Sequence, residues 1–172
     1  MSDAFAAPAA AASAVEPLAL RQALGQFTTG VTIVTCLGPD GQRVGLTASS
    51  FQSLSLTPPL VLWSLRLASA SLAAFAAAPT FAVNVLGEAQ VDLSRRFASR
   101  VEDKFAEGAW STGAHGAPVL AGCTAVFECA LHSHQTVGDH ELFIGEVLAL
   151  SQSPVPPLLF QGGHYHLLGE VL

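Results

Sequence analysis

Hydroxyl side chains crowd one short stretch of this sequence. Thr47, Ser49, Ser50, Ser53 and Ser55 fall within nine positions, in a region otherwise apolar enough to be core. Hydroxyls and successive backbone N–H groups can donate hydrogen bonds to an oxyanion, so such a stretch can cradle a phosphate without carrying charge. The same serines also suit an ordinary polar turn, and residue types alone leave both readings open. Arg95 and Arg96 stand directly before Phe97. A guanidinium pairs bidentately with phosphate oxygens, although two arginines before an aromatic also describe a solvated helix end. His140, in the run Gly138-Asp139-His140, carries a side chain that changes charge near neutrality; a turn histidine with no ligand is the plainer reading.

Other chemistries find less support. His132 and His134 would share one face of a strand, and His140 invites a third ligand, but the spacing matches no zinc signature and no metal is expected. Cys36, Cys123 and Cys129 lie in or beside apolar strands, where inert buried thiols are common, and they include no CxxC pair. Neither GxGxxG after the first strand nor GxxxxGK[ST] occurs, so any dinucleotide must bind to something other than a Rossmann fold. A Gly-x-Ser-x-Gly elbow is also absent, which argues against Ser49 or Ser50 as a hydrolase nucleophile.

The bulk composition agrees. Seven Lys plus Arg face thirteen Asp plus Glu, for a formal charge of -6, and no basic run supplies the cations a nucleic acid requires. An anionic ligand must therefore be caught locally. The 172 residues suit one domain, and a hydrophobic fraction of 51% leaves apolar surface enough for a homodimer. Three unpaired cysteines fit a reduced, cytoplasmic chain. Residues 1–16 lack a basic n-region and read as a disordered arm ahead of a domain over 17–172. The most apolar internal stretch, 54–68, is broken by Pro58, Pro59 and Arg66, so no membrane span is expected.

The elements that must hold these residues are mainly β. Pro17 opens a short helix whose stripe is Leu20, Ala23, Leu24 and Phe27, with Gly30 at its end. A strand over 31–36, the turn Gly38-Pro39-Asp40-Gly41 and a second strand from Arg43 form a hairpin. Strands are expected at 60–65, 81–86, 124–131, 141–150 and 165–168, with Gly138-Asp139 turning one of them back. Short helices are expected at 68–78 and 88–96. Strands outnumber helices and are joined by turns, which favours a closed or nearly closed antiparallel barrel over a doubly wound sheet.

Four runs carry a more specific resemblance: GLTASSFQSLSLTPPLVLWSL (45–65), FAVNVLGEAQVDLSRRFASRVEDKF (81–105), GAPVLAGCTAVFEC (116–129) and GDHELFIGEV (138–147). In this order they resemble the flavin reductase-like family, over roughly residues 20–170. The resemblance implies a split β-barrel with antiparallel strands, Greek-key-like connections and a few flanking helices. It implies an NAD(P)H-dependent flavin reductase that moves a hydride from NADH or NADPH to FMN or FAD and often supplies a partner monooxygenase. A non-catalytic flavin binder, or a flavoprotein of the pyridoxamine-phosphate oxidase type on the same barrel, is the alternative. Laid onto matching positions, the resemblance gives Thr47, Ser49, Ser50 and Ser53 to the flavin's ribityl and phosphate groups. Trp63 and Ser64 would flank the isoalloxazine, Asn84 and Leu86 would approach it, and Arg95, Arg96 and Phe97 would border its phosphate end. His140 would stand beside the nicotinamide, to orient or polarise it, and Tyr165 would shape the same mouth.

Overall fold

The computed structural model describes residues 15–171. Residues 1–14 of the expected arm lie outside the described residues; Glu16 already belongs to the fold, since its carboxylate accepts a hydrogen bond from Leu18 N. The first helix, α1, spans Pro17–Leu24. It stops earlier than the apolar stripe suggested because Gly25 takes the C-cap, its N–H bonding Arg21 O, and Gly30 falls instead in a strand. Helix α1 buries none of its residues; Leu18, Leu24 and the following Phe27 are all more than half exposed.

The strands follow as β1 (Thr29–Gly30), β2 (Thr32–Leu37), β3 (Arg43–Ala48), β4 (Gln52–Leu56) and β5 (Pro59–Arg66). Helix α2 (Leu72–Ala77), β6 (Thr80–Val85) and α3 (Val91–Ala98) come next. The chain ends with β7 (Trp110–Thr112), β8 (Pro118–Leu120), β9 (Ala125–Val137), β10 (His140–Gln152), β11 (Leu159–Gln161) and β12 (His164–His166). Helix α2 is shorter than expected because 67–71 turns first, with Ser69 N bonded to Arg66 O. The expected helix at 88–96 divides into a 3-10 turn at 88–90 and α3. Strand β4, absent from the expected set of strands, runs through the second half of the hydroxyl-rich stretch.

One seven-stranded antiparallel sheet, in the order β3-β2-β6-β9-β10-β5-β4, dominates the structure. Neighbours in sequence form the hairpins β2/β3, β4/β5 and β9/β10, while β6 and β10 join strands distant in the chain. This is the expected Greek-key-like pattern. A three-stranded sheet, β1-β11-β12, and the pair β7-β8 flank it.

Alternation along the strands builds a core on each face of the sheet. Inside the curved sheet Val34, Cys36, Val61, Trp63, Phe81 and Phe143 pack together, with Phe75 of α2 inserted among them. Trp63 stacks on Phe143 at 4.6 Å and meets Phe75 edge-on at 4.9 Å. On the outer face Ile33, Leu86, Phe97, Phe105 and Leu120 form a second core under α3. Strand β2 feeds both cores, so Thr32 through Cys36 are all buried.

The two ends of the main sheet approach each other where β3 gives way to β4. There the Ser50 hydroxyl takes the place of a ladder bond, accepting from Ser64 N at 3.0 Å and donating to Ser64 O at 3.1 Å. A side chain thus closes the seam that backbone pairing leaves open.

Candidate functional site

Beside that seam lies a cavity of about 940 Å³, open to solvent. Its walls are the end of β3, the Ser49-Ser50 link, the end of β5, the turn before α2, the C-terminal end of α3 and the start of β10. The register explains why distant residues meet there. His140 lies opposite Arg66 and Leu142 opposite Ser64 across the β10/β5 ladder, so the strand ends deliver His140, Arg66 and Ser64 to one rim.

The electrostatics of this cavity are unlike those of the chain. Arg66, Arg100 and Lys104 line it, three of the seven lysines and arginines, and none of the thirteen acidic residues does. Lys104 is the single lysine of the sequence. Its ammonium is half-buried, donating to Phe97 O at 2.8 Å and reaching Gly45 O at 3.5 Å, and burial lowers its pKa from the ordinary lysine value. Such a group gains when an anion comes to rest beside it.

Close packing brings α3 to this position. Gly45 in β3 has no side chain, and a Cβ there would come 2.7 Å from Phe97 Cε1. The Phe97 ring therefore lies directly on the strand and offers the cavity an apolar edge. Thr47 ties the two elements from the other side, its hydroxyl donating to Ser94 O at 2.6 Å.

Six of the residues singled out from sequence line the cavity: Thr47, Ser49, Ser50, Ser64, Phe97 and His140. Their hydroxyls are not equivalent, however. Thr47 and Ser50 are committed to backbone carbonyls, whereas Ser49 is exposed and its hydroxyl has no partner among the described residues. His140 Nδ1 pairs with Asp139 Oδ1 at 2.7 Å, which leaves Nε2 as the ring nitrogen available to a ligand. That bond holds the Asp139 carboxyl below its usual range, with the His140 and Arg66 charges adding to the effect.

The other seven do not reach it, each for a local reason. Trp63 is fully buried in the inner core, on the opposite face of β5 from Ser64. Asn84 is also fully buried: its amide donates to Ile33 O and Thr35 Oγ1, and its Oδ1 accepts from Leu120 N. Leu86 belongs to the outer core. Ser53 is an exposed residue of β4. Arg95 pairs with Asp92 and lies over the Tyr165 ring at 5.5 Å, while the Tyr165 hydroxyl shares a hydrogen bond with Ser94 Oγ. Arg96 is the most informative of the group. It donates to Asp103 O at 2.6 Å, Lys104 O at 3.1 Å and Glu107 Oε1 at 2.7 Å, and so clamps the turn that carries Lys104.

Arg66, Arg100 and Lys104 were missed in the sequence, together with Ser69 and Ser71. The signal for Lys104 was present, since a lone lysine beside a phenylalanine in an acidic chain is a conspicuous choice. Arg66 and Arg100 carry no such local mark.

Elsewhere, Glu141 is buried beside the rim, accepting from Thr136 Oγ1 at 2.6 Å and pairing with His134 Nδ1 at 2.5 Å. These two partners hold its carboxyl below the usual range. The three cysteines are buried, free thiols, each pushed up to about 12 by burial, so none is a nucleophile at neutral pH. Among the described residues no cluster of three His, Cys, Asp or Glu is placed to hold a metal, and no helix is long and apolar enough to cross a membrane.

A cavity of this volume is within the roughly 300–1,000 Å³ of small-molecule sites. Its cations, its free hydroxyl and its aromatic edge suit a flat ring system bearing a phosphate, and in that respect the residues fit a flavin nucleotide.

Comparison with known proteins points the same way. Residues 24–169 match the flavin reductase like domain. The reductase subunit of stachydrine N-demethylase from Rhizobium meliloti (strain 1021) is 41% identical over 154 residues, covering 90% of this chain and 67% of that protein. Another relative from that strain is matched over only 50% of its length. The NADH-dependent FMN reductase SmoA of Agrobacterium fabrum is 44% identical over 145 residues, 84% of this chain and 82% of the relative. Among solved structures, the Streptomyces globisporus NADH:FAD oxidoreductase SgcE6, in complex with NAD and FAD fragments, superposes with a TM-score of 0.84 at 40% identity, covering 88% of this chain and 92% of that one.

Proposed function

The chain belongs to the flavin reductase-like family, and from that premise we propose that it is an NAD(P)H-dependent flavin reductase working in the cavity beside the β3/β5 seam. The observation that carries this reading is the gathering of three cations and no carboxylate around one cavity in a chain of net charge -6. The flavin, when bound, supplies the acceptor for a hydride from the nicotinamide, so the protein need provide no nucleophile.

What the chain's own residues do is bind, orient and stabilise. Lys104 and Arg100 would hold the phosphate end, and the Ser49 hydroxyl would donate to it. The Phe97 edge and the apolar atoms of Leu46 and Ala48 would shield a bound ring system from water. His140, with Nδ1 held by Asp139, keeps Nε2 free at the rim and would orient a nicotinamide bound there. Thr47 and Ser50 act through the fold, one anchoring α3 and the other closing the seam. NADH is the donor named for two of the relatives, and it is the donor we assign.

The working unit is the single domain over 17–172, in a reducing, cytoplasmic setting that suits its three free thiols. Two copies associate through apolar surface that includes the exposed α1 face, and reduced flavin passes to a partner oxygenase. Anaerobic mixing of the protein, FMN or FAD, and NADH tests the proposal. The flavin absorbance band should bleach far faster than in a protein-free control, and equal rates would overturn it. A flavin retained through gel filtration, with NADH consumption at background, would instead favour a non-catalytic flavin binder or a pyridoxamine-phosphate-oxidase-like protein.

A further inference from the structure

Glu141 is a buried acid that the mechanism leaves unused. It does not line the cavity, and its two carboxylate oxygens are divided between donors on β9. Thr136 Oγ1 donates to Oε2 at 2.6 Å and His134 Nδ1 to Oε1 at 2.5 Å. The carboxyl is held below its usual range, so it is ionised at neutral pH and the proton of the His134 contact sits on Nδ1. Burying a carboxylate costs free energy that an apolar side chain beside Leu65 and Phe143 would not incur, so burial alone does not account for an acid here.

What the two bonds secure is the tip of β9. Strand β6 pairs with β9 only as far as Ala130, and Leu131 N then bonds to Pro79 O. From 132 to 137 the strand has β10 on one edge, no strand among the described residues on the other, and every residue exposed. Such an edge opens readily. Yet it carries the turn Gly138-Asp139, and Asp139 is the residue whose carboxylate holds His140 Nδ1. His140 is fixed by its pairing with Arg66, and Asp139 is tied on the β5 side by Leu67 N, which donates to its carbonyl at 3.0 Å. On the β9 side the side-chain ties are those of Glu141. Thr136 lies directly opposite Glu141 in the ladder and His134 opposite Phe143, so one carboxylate spans two same-face positions of β9. The His134 ring also lies on Phe143 at 5.6 Å, and Phe143 stacks on Trp63, which joins the tip to the inner core. Strand alternation sends Glu141 to this face of β10 and His140 to the cavity.

We propose that Glu141 is a positioning residue of this site: through Thr136 and His134 it fixes the tip of β9, and so keeps Asp139 on His140 Nδ1 and leaves Nε2 bare at the rim. The inference rests on the flavin reductase reading, in which His140 orients the nicotinamide, and adds the group that orients His140.

Both donors stand at exposed positions, so the buried acid itself need not be touched. Thr136→Val keeps the shape and strand preference of the side chain and removes its donor, and His134→Leu removes the other. Thr136→Ser and His134→Asn are the conservative controls, since the first restores the hydroxyl and the second places an amide N–H near the position of Nδ1. The 15N shifts of the His140 ring, assigned by their absence from His140→Gln, are read in flavin-free protein at about pH 8, where an ordinary imidazole is neutral. The parent ring should be protonated on Nδ1 alone. In the Thr136→Val, His134→Leu double variant it should become a mixture of the two tautomers, with the parent state recovered in the Ser and Asn variants. Turnover with NADH should follow: kcat about tenfold lower in the double variant, with the Kd for FMN within about twofold of the parent. A role confined to stability would lower the urea midpoint and leave the tautomer and the kcat of fully folded protein as they are, and that result overturns the proposal. So does equal impairment in the conservative and the disruptive variants. A parent that reduces flavin no faster than a protein-free control would overturn the reductase reading separately, because the tautomer is read without flavin and still decides whether Glu141 orients His140.

Discussion

Lys104→Met tests most directly how an acidic chain holds an anionic ligand. The substitution keeps the length of the side chain and removes only its charge and its donors. A hydrogen bond to a charged group contributes about 1.5–3 kcal/mol, and each 1.4 kcal/mol is tenfold in affinity, so FMN should bind about ten to a hundred times more weakly. Riboflavin, which lacks the phosphate, should bind both proteins alike to within about twofold. The pair of ligands therefore separates a charge effect from a change in cavity shape. Salt and pH give two further readings. FMN affinity in the parent should fall with ionic strength more steeply than in the variant. Burial lowers the Lys104 pKa, and it is the protonated amine that attracts the anion. Affinity in the parent should accordingly decline with rising pH before an exposed lysine would lose its proton, and the variant should lack that decline. Equal weakening of FMN and riboflavin, or no change in either, would refute the assignment of Lys104 to the phosphate.

His140→Gln should slow hydride transfer about ten- to a hundredfold while FMN affinity holds, as measured by single-turnover bleaching and by titration, because the ring orients and does not anchor the flavin. Glu141→Gln should flatten the acid limb of stability. The parent carboxyl titrates below its usual 4.5, so its contribution is complete above that value and is lost as pH falls through the lower folded value. Urea midpoints at pH 7 and pH 3 should then differ less in the variant than in the parent. Gly45→Ala should destabilise the fold by about 1–3 kcal/mol, read from the same titrations, because the new methyl meets Phe97 and Phe105 and pushes α3 off β3.

The barrel was legible because its signals are local and repeat along the chain: β-branched runs, the Gly38-Pro39-Asp40-Gly41 turn, and Gly138-Asp139 joining two long strands. The site was legible only in part. Trp63 and Ser64 are adjacent and read alike as flavin neighbours, yet a strand sends them to opposite faces, and only the barrel's curvature decides which face is core. Asn84 reads as a polar group available to a ligand until β8 is seen to lie against β6, where Leu120 N uses its carbonyl. Helix α3 was recognised, but its rotation was not. That rotation turns Phe97 to the cavity and Arg95 to Tyr165, and it follows from Gly45, far away in sequence on β3, where no sequence period marks the contact.

The charge distribution links these observations. In a protein of net charge -6 an anion is repelled at long range, and the repulsion is screened beyond about 8–10 Å at ordinary salt. What decides binding is therefore the charge within that radius of the phosphate. The cavity supplies three cations there and no lining carboxylate, and three nearby acids are occupied: Glu107 by Arg96, Asp139 by His140 and Glu141 by Thr136 and His134; Glu102, in a smaller slot that adjoins the cavity at Lys104, is the exposed exception. Arg96 and Lys104 thus divide a single task. One neutralises a carboxylate and fixes the turn, and the other is left with its charge facing the cavity. Arg96→Ala should consequently weaken FMN although Arg96 does not line the cavity, and it should do so by mobilising Lys104. In the background of Lys104→Met the same change should have little further effect on FMN, because non-additivity is expected of residues acting through one contact.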